Sequence, residues 1–379
     1  MRLSSVFLLC SVSLAALPVL AEQPFGWIGN DHASAYAIGM GRLELSGYRA
    51  RVNDTIDFLN LRNDLLASNA QRLVGDTGDL TGSTLRFRIG VLDSLELFYR
   101  QSKQNLTVNL GTISSADIEN LDNGLQTERK AFGAKWVVLD SISRDRSYPW
   151  SSVALELIRT VNQSDDFGGD LANLRTTAGG GVRFDPPGRF ALDRLEDDGW
   201  RAKLLVSSAW STTATATLWA GYGESQASSG TRWDVDVDFL RSAFLQTFDT
   251  RESQLVLGAS LNWHPLPRLP VQLGYEYTHV TGREQDIFRG SSSLSRFLPS
   301  FLRGDGLEEG QTRNHSLFGS MNWWVTPEVY VGVAGKLFSN QFTGIIPHYN
   351  NPLSGSFGDL PYGYLEFRIG VNFDVLDAL

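Results

Sequence analysis

Residues 362–375 of the chain read YGYLEFRIGVNFDV, and apolar and polar side chains alternate through most of this stretch. The apolar residues of one face are Leu365, Phe367, Ile369, Val371 and Phe373. The residues of the opposite face are Glu366, Arg368, Gly370 and Asn372. Successive side chains of a strand point to opposite sides, so this period indicates a strand with one apolar and one polar face. Such a strand is typical of a transmembrane β-barrel, where lipid lies outside and a polar lumen inside.

The end of this strand resembles the C-terminal assembly signal of Gram-negative outer-membrane proteins. The residues that carry the resemblance are spaced Arg368-x-Gly370-x-x-Phe373-x-Val375, with Val375 in place of a terminal aromatic residue. The resemblance implies a protein of the cell outer membrane that is surrounded by outer-membrane lipids. It also implies that Gly370, Phe373 and Val375 are recognised by the barrel assembly machinery.

The N-terminus predicts export. Arg2 precedes an apolar run from Val6 to Leu20, which ends at a small-residue cleavage site after Ala21. We therefore expect residues 1–21 to be a cleaved signal peptide and residues 22–379 to form the barrel. Cys10 would be lost with the peptide, so the mature chain would have no thiol for a disulfide or a metal site.

Alternating runs predict about twelve strands. The first lies around residues 45–58, with a phase slip at Ser46–Gly47 that suggests a bulge, turns Tyr48 toward lipid and places Arg49 and Arg51 in the lumen. The last is the C-terminal strand. Five hairpins between them are predicted at 84–91 with 95–108, 130–139 with 150–161, 200–210 with 213–225, 253–263 with 269–280, and 314–324 with 328–338. The fold class predicted is an all-β, antiparallel, up-and-down barrel with periplasmic termini.

The connections alternate in length. The turns within hairpins are mostly short, whereas the links between hairpins run to roughly twenty residues or more, as outer-membrane barrels show on their extracellular side. The predicted long links are 59–83, 109–129, 162–199, 226–252, 281–313 and 339–361. Two of them carry helix-like patterns, around Asp64–Val74 and Asp236–Phe248, which we interpret as short helices over the barrel mouth.

Charge provides the main functional signal. Without the signal peptide the chain has 32 basic and 42 acidic residues, a charge of −10, which gives no electrostatic reason to bind nucleic acid. The basic residues predicted to face the lumen are Arg49, Arg51, Arg86, Arg88, Arg100, Lys135, Arg201, Lys203, Lys336 and Arg368. The acidic residues predicted to face it are Asp57, Glu96, Glu156, Glu276 and Glu366. The predicted lumen is therefore basic although the protein is acidic.

Two interpretations of these charges stay open. Rings of Arg and Lys select anions in other pores, so the lumen would favour passive uptake of small anionic solutes. Alternatively the charges form an interlocking ion-pair core, and the barrel is plugged and serves surface interaction or envelope structure. In architecture and basic lining the chain resembles the narrow twelve-stranded porins for acidic oligosaccharides.

Enzyme-like and metal-like motifs are incomplete. Outer-membrane lipid hydrolases carry His and Ser two residues apart on the lipid-facing side of one strand, but Ser316 directly follows His315, and Thr281 stands two residues after His279. A lipid hydrolase is the remotest alternative, and we predict no catalytic residue. Asp234-x-Asp236-x-Asp238 begins like a calcium loop but lacks its Gly and its closing Glu. We predict neither a metal site nor a cofactor.

Overall fold

Twelve strands form the wall of a closed antiparallel barrel in a computed structural model of the chain. The structure describes residues 33–51, 79–106, 116–119, 125–140, 150–175, 181–192, 196–211, 213–234, 247–285, 310–338 and 362–376. The wall strands are β1 (Met40–Arg51), β2 (Asp79–Leu92), β3 (Leu95–Leu106), β5 (Leu125–Asp140), β6 (Trp150–Ser164), β9 (Glu196–Ser211), β10 (Ala214–Asp234), β11 (Thr247–Leu266), β12 (Leu269–Gln285), β13 (Gly310–Trp324), β14 (Val329–Phe338) and β15 (Tyr362–Asp374). Three further strands are β4 (Ala116–Glu119), β7 (Phe167–Arg175) and β8 (Gly181–Leu192). The predicted fold class and strand number are confirmed.

Each wall strand pairs with the wall strand that precedes it and the one that follows it, and β15 closes the ring against β1. This seam between β1 and β15 runs from Met40 opposite Asp374 to Arg49 opposite Leu365. A closed ring pairs the backbone of every wall strand on both sides, as a lipid environment demands. Among the described residues, no helix is long and apolar enough to cross a membrane.

The connections separate the two ends of the barrel. The turns after β2, β9, β11 and β13 are short, and they lie at the same end as the start of β1 and the end of β15. The long links lie at the opposite end. We call these the turn end and the loop end.

At the loop end, β4, β7 and β8 form a small sheet that joins the wall where Thr231–Asp234 of β10 pairs with Arg189–Leu192 of β8. The prediction of irregular links over residues 109–129 and 162–199 was therefore wrong in part. Of these short strands only β8 pairs with the extension of β10, and nothing in its own alternation reveals such a distant partner. The two predicted helices fall outside the described residues, except that Thr247 and Phe248 begin β11.

The two faces of the wall differ as the closing strand predicts. Leu365, Phe367 and Ile369 on the outside are 47%, 62% and 48% exposed, whereas Glu366 between them is 3% exposed. The same alternation of exposed Leu, Val and aromatic side chains with buried polar ones recurs in β6 and β9. An exposed apolar surface of this extent marks contact with lipid. The chain is thus a transmembrane β-barrel.

Strand β1 differs from the prediction in phase. It pairs with β15 and β2 without a register shift, so no bulge interrupts it at Ser46–Gly47. Arg49 is exposed on the outer face, opposite Leu365, and its predicted place in the lumen was wrong. The predicted facing of β1 is shifted by one residue because Tyr48 is expected to face lipid. Its ring in fact packs against Tyr364 at 5.4 Å between centroids.

The outward direction of Ile369 can be tested by a matched pair of arginine substitutions. Ile369→Arg places a charge in lipid at a cost of roughly 2–4 kcal/mol near the midplane, and it should lower the yield of folded barrel. Ala334→Arg is the control, because Ala334 lines the lumen and pairs with Glu366 on the neighbouring strand. Heat-modifiable mobility on gels measures folding, and equal yields from both variants would contradict the assignment of faces.

Candidate functional site in the charged lumen

The inward faces of the wall strands enclose a cavity of about 380 Å³ in the half of the barrel nearer the loop end. Among the described residues, the inward-facing side chains include ten basic and seven acidic ones. The basic residues are Arg42, Arg86, Arg88, Arg100, Arg129, Lys135, Arg201, Lys203, Lys336 and Arg368. The acidic residues are Glu44, Glu96, Glu156, Asp197, Glu252, Glu276 and Glu366. The described lumen is basic, as predicted, but by a smaller margin.

Arg86 of β2 is the centre of the largest ion-pair group. Its guanidinium bonds the carboxylates of Glu44 on β1 and, at 2.7 Å, of Glu366 on β15. The hydroxyl of Tyr330 on β14 donates a further hydrogen bond to Glu44. One arginine thus ties together the two strands of the seam, and its charge is neutralised by the same carboxylates.

Other lumen cations are paired in the same manner. Glu96, 1% exposed, accepts hydrogen bonds from Arg88 and Lys135, each at 3.1 Å. Lys336 bonds Glu276 at 3.0 Å and lies 6.0 Å from the centre of the Phe318 ring. Across the barrel, Lys203 lies 3.5 Å from the Glu156 carboxylate. Most of the predicted lumen residues therefore form ion pairs, as the second interpretation of the sequence expects.

A second group of arginines carries positive charge into the cavity without a matching carboxylate. Arg201 donates a hydrogen bond to the amide of Gln254 at 2.9 Å, and Arg368 donates to the amide of Asn322 at 2.7 Å. Neutral amide partners satisfy the donors but leave the charge in place. These two residues therefore contribute to the surplus of positive charge.

Arg100 is the most available of these cations. It lies on the inward face of β3, opposite Arg86 of β2, and lines the cavity with more than a third of its surface exposed. Arg129 lies diagonally across on β5, two residues beyond the Ala131 that opposes Arg100. Within the described part of the chain, Arg100 forms no ion pair. A cation between two other arginines is a place where an anion would be stabilised.

The structure places twelve of the fifteen predicted lumen residues on the inner face. These are Arg86, Arg88, Glu96, Arg100, Lys135, Glu156, Arg201, Lys203, Glu276, Lys336, Glu366 and Arg368. Arg49 lies outside, Arg51 is the last residue of β1, and Asp57 lies outside the described residues. Glu44 and Arg129 were missed because the predicted strands begin at Leu45 and Lys130, five residues after the observed starts of β1 and β5. Reading the alternation of β1 back to Met40 would have identified Glu44.

The assembly-signal residues lie at the seam and the turn end. Gly370 faces inward beneath Tyr330, and a Cβ at Gly370 would come within 2.3 Å of that ring. Phe373 stacks on Phe87 at 5.8 Å between centroids, and the backbone N–H of Val375 donates to the carbonyl of Gly39. Their recognition by the assembly machinery stays a prediction.

The histidine motif of β13 is divided between the two faces of the wall. His315 is exposed on the outer face, and its Nδ1 shares a hydrogen bond with the Tyr275 hydroxyl at 2.6 Å. Ser316 is buried on the opposite face. Of the acidic run, Asp234 ends β10, and Asp236 and Asp238 lie outside the described residues. No group of three or more His, Cys, Asp or Glu among the described residues could hold a metal ion.

Comparison with known proteins gives only distant structural neighbours. No family model and no curated protein matches the chain. The NanC porin has 7% identity and a TM-score of 0.37 over 87% of this chain and 98% of its own. The β-domain of the Bordetella autotransporter BrkA has 9% identity and a TM-score of 0.42, over 89% and 99%. LpxR from Salmonella typhimurium has 9% identity and a TM-score of 0.38, over 87% and 99%. Similarities this low carry no argument about this chain, and the strand pairings themselves establish its fold.

The ion pairs of Arg86 predict a large effect on stability. Arg86→Met leaves two carboxylates, 6% and 5% exposed, without that partner, and breaking a buried pair costs about 3–5 kcal/mol. Arg159→Met is the control, because its pair with Asp198 is 66% and 53% exposed and is worth about 0–1 kcal/mol. Urea unfolding in lipid vesicles measures both. Equal midpoints would show that the Arg86 pairs do not stabilise the barrel.

Proposed function

We propose that the chain is a passive channel of a Gram-negative outer membrane that favours small anionic solutes. The closed barrel and its apolar outer face support a place in a lipid bilayer, and the signal-peptide pattern at residues 1–21 supports export. The short turns and both ends of the wall would face the periplasm, and the long links would face outside. Assembly by the barrel assembly machinery belongs to the same proposal.

Arg100 is the observation that carries the anion preference. Its charge lies in the lumen between two further arginines and has no carboxylate partner among the described residues, whereas Arg86 and Arg88 are balanced by glutamates. A solute in a narrow lumen is within a few ångströms of Arg100. The acidic residues on the outside of the protein are screened over about 8 Å at physiological salt. The local field of Arg100 therefore outweighs the negative charge of the whole chain.

A second candidate function is a plugged barrel with a surface or structural role. It is favoured by the turn end, where residues 33–39 and inward apolar side chains occupy the interior. The two functions differ in conductance, because a permanently plugged barrel passes no ions across a planar bilayer. The same purified protein distinguishes them.

The selectivity of the channel should depend on Arg100. One unit charge at about 6 Å in water attracts an anion and repels a cation by about 0.7 kcal/mol each, so Arg100→Gln should lower the anion-to-cation permeability ratio about tenfold. The reversal potential in a salt gradient across a planar bilayer measures this ratio. Arg159→Gln on the outer face is the control and should leave it unchanged. An unchanged reversal potential in Arg100→Gln would refute the anion preference, and absence of conductance in the folded wild type would refute the channel.

The orientation of the barrel can be tested with single cysteines at its two ends. Asp165 is exposed at the loop end, and Pro327 is exposed in the turn between β13 and β14. A membrane-impermeant maleimide should label Asp165→Cys on intact cells. It should label Pro327→Cys only after the outer membrane is opened. The opposite pattern of labelling would invert the proposed orientation.

A further inference from the structure

Residues 33–39, which we call the strap, lie inside the barrel at its turn end. At one end of the strap, the Gly39 N–H donates to the carbonyl of Gly90 on β2 at 2.9 Å. At the other end, the Ala33 N–H donates to Oγ of Ser207 on β9 at 2.9 Å. In the ring of twelve strands, β9 is the fourth strand from β2, so the two anchors are a third of the circumference apart. Six residue steps reach at most about 20 Å, which requires a direct path across the lumen.

An apolar group receives the far end of the strap. Ala33 is fully buried against inward side chains of five wall strands, and Ala35 and Phe318 pack against the same group. The five side chains are Val137, Ala154, Leu205, Trp219 and Val256. These five residues form the apolar part of the inner face at this level of the barrel. A patch of apolar side chains inside a polar lumen needs a cover, and the strap provides it.

The near end of the strap is held by polar and aromatic contacts. The backbone N–H of Tyr36 donates to Glu96 at 3.4 Å, and that of Ile38 donates to Asp93 at 3.2 Å. The guanidinium of Arg42 lies 5.8 Å from the centre of the Tyr36 ring and 5.1 Å from that of Tyr330. Contacts along its whole length show that the strap is seated in the lumen and does not merely pass its rim.

Gly90 marks how closely the strap approaches the wall. A Cβ at Gly90 would lie 2.2 Å from the carbonyl oxygen of Ala37 and 2.3 Å from that of Tyr36. Both atoms belong to the strap backbone. Glycine is therefore required at this position of β2 by the strap.

We propose that the strap is a gate that closes the turn end of the lumen and opens when it leaves its seat. This proposal rests on the proposed channel function. With the strap seated, its backbone and the apolar group that it covers lie between the basic cavity and the turn end. Release would join the cavity to the turn end, so the population of the released state would set the conductance. The strap is held by hydrogen bonds, by the packing of Ala33 and Ala35 and by the Tyr36 ring against Arg42, and none of these contacts belongs to the strand pairing of the wall, which suits a segment that moves while the wall stays intact.

A disulfide provides the test. The variant Ala33→Cys/Ser207→Cys joins the far end of the strap to β9, where the backbone nitrogen of one residue already lies 2.9 Å from the side chain of the other. The control is Ser151→Cys/Ser208→Cys, an opposed pair of β6 and β9 at the same level but on the outer face. We expect a severalfold rise in bilayer conductance when the first disulfide is reduced, and no change when the control disulfide is reduced.

Release of the strap provides the complementary measurement. Gly90→Ala should expel the strap from the wall and raise conductance severalfold above wild type. Gly47→Ala on the neighbouring strand is its control, because the nearest atom to a Cβ there is 3.9 Å away. Equal conductance in all four variants, oxidised and reduced, would overturn the gate and leave the channel standing. No conductance in any folded variant would overturn both.

Discussion

A strand that crosses a bilayer finds no water for its backbone, so every N–H and C=O group must be paired within the protein. This single constraint forces the wall to close and therefore forces β15 onto β1, at the two ends of the chain. Closure then creates an interior that lipid cannot fill. That enclosed space accounts for the polar inner face, its ion pairs and its cavity. The outer face is apolar because it contacts lipid.

The enclosed charges divide into two kinds by their partners. Arg86, Arg88 and Lys135 are matched to glutamates on neighbouring strands and act chiefly to hold the wall together. Arg100 and Arg201 lie among arginines or neutral amides and leave positive potential in the cavity. The number of basic residues alone overstates the surplus. The pairing of each residue, which depends on the register between strands, decides what charge a solute meets.

Much of this barrel could be predicted from alternation alone. The hairpins are close in sequence, and each strand carries its own period of two, so strand number and facing were correct for nearly every segment. Strand β1 was the exception because Tyr48 faces inward against Tyr364, and its apolar ring was assigned to lipid. The sheet of β4, β7 and β8 and the pairing of Arg86 with Glu44 depend on the arrangement of separate segments. Alternation within one strand contains no information about either.

The seam also has a consequence for folding order. Arg42 on β1 donates from Nε to Asn372 on β15 at 2.9 Å, across 330 positions of sequence. Contacts this distant in the chain repay their loop-closure entropy only after the intervening hairpins have formed. The edge of β1 that pairs with β15 therefore stays without its partner until β15 has been synthesised and has reached the membrane. The barrel is therefore incomplete until the last strand is present, and loss of β15 alone would leave the outer edge of β1 unpaired in lipid.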